Sequence, residues 1–322
     1  MIVSRRIAAA MLLAPGVAAA QQRWSPDRPV TFLGPYAPGG SFDVTQRAMG
    51  RAAEPQIGQP IAVLNKPGGA GTIMLNELAR ARPDGLTLGL LSVNTNAVAP
   101  QLVNMPVDPV ADFTPLMTYG SFLTFVAVAN NAPFTGLRDL IAYARREPGK
   151  LTVGIAAIGS NSHLNMARLF AEEAVEVIFV PFTGGAPANT ALLGGHIQCA
   201  VVSGEILPNV RDGSLRLIGI LNADRSEEFP AVPTLPELGY AWSAQPWIGF
   251  GGPRGMAEPV AARWTEVLQA AADSREVREV MRQLAFVPLR KQGDAMRQLM
   301  TESLAEHERV ARTIRIGRFA AR

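Results

Sequence analysis

Residues 30–49 read VTFLGPYAPGGSFDVTQRAM. Val30-Thr31-Phe32-Leu33 is a short apolar run with β-branched and aromatic residues, the composition of a buried strand. Ala37-Pro38-Gly39-Gly40-Ser41 interrupts it, and Val44, Ala48 and Met49 then recur at helical spacing. The chain repeats this unit of strand, glycine loop and helix. Residues 61–64 lead to Pro67-Gly68-Gly69-Ala70-Gly71 and a helix from Thr72 that carries Ile73, Leu75 and Leu78. Residues 86–91 end in Ser92-Val93-Asn94-Thr95-Asn96. Residues 151–155 run into Gly159-Ser160-Asn161-Ser162-His163, and 175–180 into Pro181-Phe182-Thr183-Gly184-Gly185, each with a helix behind it. Residues 199–202 and 215–221 complete a second sheet. The alternation predicts an α/β fold whose sheets are mostly parallel and flanked by helices.

Between the two sets of repeats, 122–129 is an apolar, aromatic run that fits a buried strand. Toward the C-terminus, Val260, Trp264, Val267, Leu268 and Ala271 make one helical face, and Val277, Val280, Met281 and Leu284 a second. A third helix is expected over 294–312. The Pro/Gly/Trp-rich stretch 229–255 reads as the chain returning to its first domain. The expected organisation is a discontinuous first domain, 21–122 plus 247–322, and a second domain, 123–246, with crossings near Phe122 and Trp247.

Of the 322 residues, 48% are hydrophobic and 18% charged, which supplies a core and excludes a disordered chain. The net charge of +3 is scattered, with no basic run to bind nucleic acid. The single cysteine, Cys199, sits in an apolar strand. It rules out an intramolecular disulfide and a cysteine-rich metal site. His163, His196 and His307 lie far apart in sequence, which argues against a histidine metal site. Residues 1–20 carry Arg5 and Arg6, a short apolar run and Ala18-Ala19-Ala20, the marks of a cleaved signal peptide. An exported protein with a periplasmic location is expected.

Open parallel sheets bind ligands at the carboxyl ends of their strands, where helix N-termini present free N–H groups. Several glycine loops converging there could hold a small anion with little need of Arg or Lys. Asp43 is expected to hold its loop by accepting backbone N–H bonds, with Ser41 as the alternative cap. No Walker pattern is present, and the first unit lacks G-x-G-x-x-G. Ser160 or Ser162 with His163 raises an exported hydrolase as the alternative, against which stands the lack of a G-x-S-x-G elbow. Glu205 reads equally as a helix cap or as part of a cleft wall. Trp242 and Trp247 read as core anchors or cleft walls, and His307 as solvated on a charged helix face.

The ordered set PVTFLGPYAPGGSFD (29–43), NKPGGAG (65–71), GSNSH (159–163), VPFTG (180–184) and VPTLPELG (232–239) resembles the solute-binding proteins of tripartite tricarboxylate transporters, the Bug family. The resemblance spans the whole mature chain. It implies a two-lobed periplasmic binding protein of type II-like fold that closes on a small carboxylate. It also implies a separate membrane permease as partner, no catalysis, no metal or other cofactor, and a monomer. Carried over by position, the ligand-binding residues are Gly39, Gly40, Ser41, Asp43, Gly69, Ala70, Ser160, His163, Phe182, Thr183 and Gly184. The chain departs from the family at Phe182, where tyrosine is usual, and at Asn65-Lys66. A ligand-presenting partner of a membrane sensor is a further alternative.

Overall fold

A computed structural model describes residues 23–320; the expected signal peptide lies outside them. In chain order the first elements are β1 (Val30–Gly34), α1 (Ser41–Ile57), β2 (Ile61–Asn65), α2 (Thr72–Arg80), β3 (Thr87–Ser92), α3 (Ala99–Leu102) and β4 (Phe113–Phe122). They are followed by β5 (Phe125–Ala129), α4 (Leu137–Arg146), β6 (Thr152–Ile155), α5 (Asn161–Glu172), β7 (Ile178–Pro181), α6 (Gly185–Leu193), β8 (Cys199–Val202), α7 (Leu207–Arg211) and β9 (Leu215–Ile220). The chain closes with β10 (Ile248–Pro253), α8 (Glu258–Ala272), α9 (Arg275–Gln283), β11 (Phe286–Pro288) and α10 (Gly293–Thr313).

The strands form two sheets, of order β11-β4-β10-β3-β1-β2 and β7-β6-β8-β5-β9. Both are mixed, which corrects the expectation of mostly parallel sheets. β1, β2 and β3 are parallel, while β10 runs antiparallel to β3 and β4, and β11 antiparallel to β4. In the second sheet β6, β7 and β8 are parallel and β5 is antiparallel to β8 and β9. The parallel strands are the ones that alternate with helices. Of the strands in antiparallel pairs, β4, β5 and β10 border the two crossings and lie inside their sheets.

The aromatic run 122–129 is therefore two strands. β4 ends at Phe122, Leu123-Thr124 crosses, and β5 begins the second sheet. β5 shows the period of two expected of a doubly covered strand. Val126 and Val128 enter the core shared with Leu140, Ile155 and Leu169, and Phe125 and Ala127 enter the opposite one with Leu192 and Ile206. Cys199 is fully buried in the former. In the first lobe Phe32 packs between Phe250 (4.7 Å between ring centres) and Trp264 (5.8 Å). β10 reads as loop in the sequence because of its glycines. They fit the strand between its neighbours: a Cβ on Gly249 would lie 2.5 Å from the Met117 carbonyl oxygen, and one on Gly251 2.5 Å from a Leu91 methyl.

The return crossing follows Ala244, whose N–H still bonds to Leu221 (2.7 Å). Trp247 is already in the first core, its indole N–H donating to Ser303 (2.9 Å). Buried Asn222 holds the first crossing with its side chain. Its Oδ1 accepts the Thr124 N–H at 2.8 Å, and its Nδ2 donates to the Phe122 carbonyl at 3.1 Å. Replacing Asn222 by Ala leaves both backbone groups buried without that partner, and an unmet buried group costs about 1–3 kcal/mol. We expect Asn222→Ala to lower the urea midpoint clearly; an unchanged midpoint would show that the crossings are held by their backbone bonds alone.

Candidate ligand cleft

The carboxyl ends of β1, β2 and β3 feed the segments 35–40, 66–71 and 92–96, and those of β6, β7 and β8 feed 156–160, 182–184 and 203–205. The two sets meet. The Asn161 N–H donates to Asn94 Oδ1 at 3.2 Å, and Gly159 lies against Leu102 so closely that a Cβ there would overlap its side chain.

In the first loop Gly39 has φ of +87°, and its N–H donates to Asp43 Oδ2 at 2.8 Å. Arg47 Nε donates to the same oxygen at 3.0 Å, and Asn65 Nδ2 to Oδ1 at 2.8 Å. Asn65 also accepts from Arg47 (2.7 Å) and donates to the Tyr36 carbonyl (2.9 Å), so β2 is stitched to the loop. Burial alone would raise the Asp43 carboxyl, but the bonds from Arg47, Gly39 and Asn65 outweigh it and hold it below the usual carboxylate range. Gly40, not Ser41, is the cap of α1; Ser41 is the first helical residue. The helix thus opens without a side-chain cap, and the first N–H groups of a helix have no partner within it.

The second lobe repeats the device. Gly159 (φ +72°) donates its N–H to Nδ1 of His163 at 2.9 Å, four residues on, as Gly39 does to Asp43. Burial lowers His163 to about 4, and the neutral ring stands edge-on to Phe179, 4.7 Å between centres. Here the cap is Ser160, whose Oγ accepts the His163 N–H (3.2 Å) and lies 3.0 Å from Ser162 Oγ. Neither serine hydroxyl is hydrogen-bonded to the imidazole among the described residues. The ring nitrogen that is engaged serves the backbone.

Gly69 and Ala70 lie exposed on a short turn, both with φ of +55°. Next to them Lys66 pairs with Glu77 (3.1 Å) at the surface. Phe182 packs toward Gly154, Thr183 is exposed, and Gly184 (φ +133°) caps α6 with no side chain. Residues the sequence did not single out complete the first wall. The Tyr36 hydroxyl lies 2.9 Å from Ser92 Oγ, and its ring stacks on Phe42 at 4.5 Å. Asn94–Val98 forms a π-helical turn, and Thr95 packs where a Cβ of Gly71 would lie. The cluster of side-chain donors in Ser92-Val93-Asn94-Thr95-Asn96 was the available signal.

His307 is not solvated as expected. It is 7% exposed, because its face of α10 packs on α5, where its Nε2 lies 2.9 Å from Asn161 Oδ1. Trp247 is a core anchor. Trp242 instead lies at the surface, with the Arg168 guanidinium 4.2 Å from its ring centre.

His163 yields a test. Its folded value lies below the free imidazole value of 6.5, so the folded state resists the proton. Its stabilisation is complete above pH 6.5 and is lost as pH falls toward 4. The melting temperature of the wild type should drop over that interval. His163→Gln, which keeps an acceptor but does not titrate, should flatten that part of the profile.

A family model described as the tripartite tricarboxylate transporter family receptor matches residues 45–316. Protein BugT of Bordetella pertussis is 30% identical over 292 residues, which cover 89% of each chain. The solved structure of Rpa4515 of R. palustris with adipate superposes with a TM-score of 0.81 at 27% identity, covering 91% of this chain and 99% of that one. MatC from Rhodopseudomonas palustris with bound malate gives 0.77 at 28% identity, covering 88% and 99%. With two mixed sheets flanked by helices, the chain belongs to the tripartite tricarboxylate transporter receptor family, a family of periplasmic solute-binding proteins.

Proposed function

We propose that this protein captures a small carboxylate between its lobes in the periplasm and delivers it to the permease of a tripartite transporter, without catalysis. The observation that carries the reading is the N-terminus of α1: a glycine cap, a loop before it tied down by the Gly39–Asp43 bond, and first-turn N–H groups with no side-chain cap. A helix N-terminus favours an anion through its dipole as well as its donors. Gly39, Gly40 and Ser41 supply the first wall, with Gly69 and Ala70 at its rim. Ser160, Phe182, Thr183 and Gly184 supply the second. Asp43 and His163 act as positioning residues, since their side chains are committed to Gly39 and Gly159. The adipate and malate bound by the two similar proteins support a carboxylate ligand.

Two measurements test this. A thermal-shift screen over mono-, di- and tricarboxylates should find ligands that stabilise the fold by about 2.7 kcal/mol at one hundred times their dissociation constant. Methyl esters or amides of the same skeleton should lose most of the shift. Lys66→Ala should keep it, because Lys66 is paired with Glu77. Loss of binding in Lys66→Ala with esters still active would replace the helix-end mode with an ordinary ion pair.

The second measurement concerns Asp43. Asp43→Ala frees the Gly39 N–H and the Arg47 guanidinium together, and loss of a comparable helix-terminus bond costs about 0.5–2 kcal/mol. Both stability and affinity should fall, with Asp43→Asn falling less. Wild-type affinity in both variants would show that the loop does not need this carboxylate.

A further inference from the structure

Helix α5 belongs to the second lobe by chain order, since it joins β6 to β7, yet it packs on both lobes. Met166, Leu169 and Phe170 enter the core of the second sheet. Leu164 does not. It is fully buried in a separate apolar cluster with Val98, Leu102, Val310 and Ile314, which belong to the first lobe. A side chain of one lobe is thus seated in a socket made by the other.

Asn161, Leu164 and Arg168 fall at i, i+3 and i+7, on one face of the helix. Each engages the first lobe. The Asn161 N–H donates to Asn94 at 3.2 Å, and its Oδ1 lies 2.9 Å from His307 Nε2. Arg168 stands at the far end of the row. Its Nη1 donates to Glu306 of α10, and its Nε to Glu172 of α5 itself at 3.0 Å. Its guanidinium lies over the ring of Trp242, in the stretch that leads back to the first lobe. A planar guanidinium can serve two carboxylates and an aromatic face at once, which an ammonium cannot. Polar contacts at both ends and an apolar plug between them make one continuous joint along α5.

We propose that this face of α5 is a clasp that sets how the two lobes sit on one another before a ligand arrives, with Leu164 and Arg168 as its positioning residues. Two chain crossings on their own permit hinge motion, and the clasp opposes it. Ser160 directly precedes the helix, so holding α5 against the first lobe also holds that part of the second wall. Walls already in place lose less affinity to ordering when a ligand binds. Where only a fraction of the molecules has them in place, the apparent affinity falls by that fraction. This last consequence rests on the cleft reading above; the clasp itself is tested without ligand.

The experiment measures distances between spin labels in the ligand-free protein. Gln56→Cys in α1 is paired with Ala171→Cys in α5 or with Thr190→Cys in α6, all exposed positions. Cys199 is fully buried and stays unlabelled. Each pair should give one narrow distance. Leu164→Ala empties the socket and leaves the second core intact; it should broaden both distances and raise the radius of gyration in small-angle scattering. Glu306→Gln removes the charge across from Arg168 and should act in the same direction, which keeps the test alive if Leu164→Ala does not fold. Leu169→Ala is the control: it cuts into the second core, should lower the melting temperature, and should leave both distances narrow. Broad distances in the wild type overturn the proposal, as do narrow ones in both clasp variants. Equal broadening by Leu169→Ala overturns it too, because the effect would then follow from lost stability alone. None of these outcomes bears on carboxylate binding, which the ligand screen decides.

Discussion

Everything at the cleft depends on a hydrogen bond that runs backward from the first turn of a helix to the glycine before its cap. In one lobe Asp43 receives the Gly39 N–H, and in the other His163 receives that of Gly159. The acceptor sits at the third helical position in both, and the donor is one residue earlier than in a capping box. A glycine at positive φ turns the chain so that the bond can form. The consequence is that the loop is rigid while the helix end beyond it stays available. Preorganised donors need no ordering when a ligand arrives, which is where affinity for a small anion is otherwise lost.

The two copies of this device are not equivalent, and their chemistry explains why. Asp43 is paired with Arg47 and accepts a hydrogen bond from Asn65, so it can remain ionised while buried. His163 has no charged partner and is kept neutral by burial. In the first lobe the cap is a glycine and the N–H groups are left open. In the second the cap is Ser160, which takes one N–H, and Asn94 takes another across the lobe boundary. The first helix end therefore keeps more of its N–H groups free of side-chain partners than the second. The second is partly spent on joining the lobes.

The parallel βα units were legible because Gly and Pro punctuate them and because each helix carries one apolar face. β4 and β10 were not. A six-residue strand with three glycines is a strand only because β3 and β4 press on it from both sides, and that pressure is a tertiary fact. The split of 122–129 was hidden for a similar reason, since Leu123 and Thr124 are as buried as the strands they separate. At the site, the anchoring role of Asp43 was readable from its place in the first turn. Its bond to Asn65, 22 residues on, was not. The placement of Glu205 over Gly185 was equally out of reach, because it joins the ends of β8 and β7, which β6 separates in the sheet.

His307 shows how far a charged helix face can mislead. Glu306, Glu308 and Arg309 surround it in sequence, yet the ring is buried between α10 and α5. Its Nδ1 lies 2.7 Å from the Ser303 carbonyl. Burial lowers the affinity of the ring for a second proton. Its Nε2 faces Asn161 Oδ1 at 2.9 Å, and the same oxygen accepts from Asn165 Nδ2 at 3.0 Å. With its backbone N–H on Asn94 and its side chain on His307, Asn161 joins the second lobe to two separate elements of the first. The residue that opens α5 is thus spent on the lobe boundary, so the anion capture proposed above falls to α1, which opens on Gly40 without a side-chain cap.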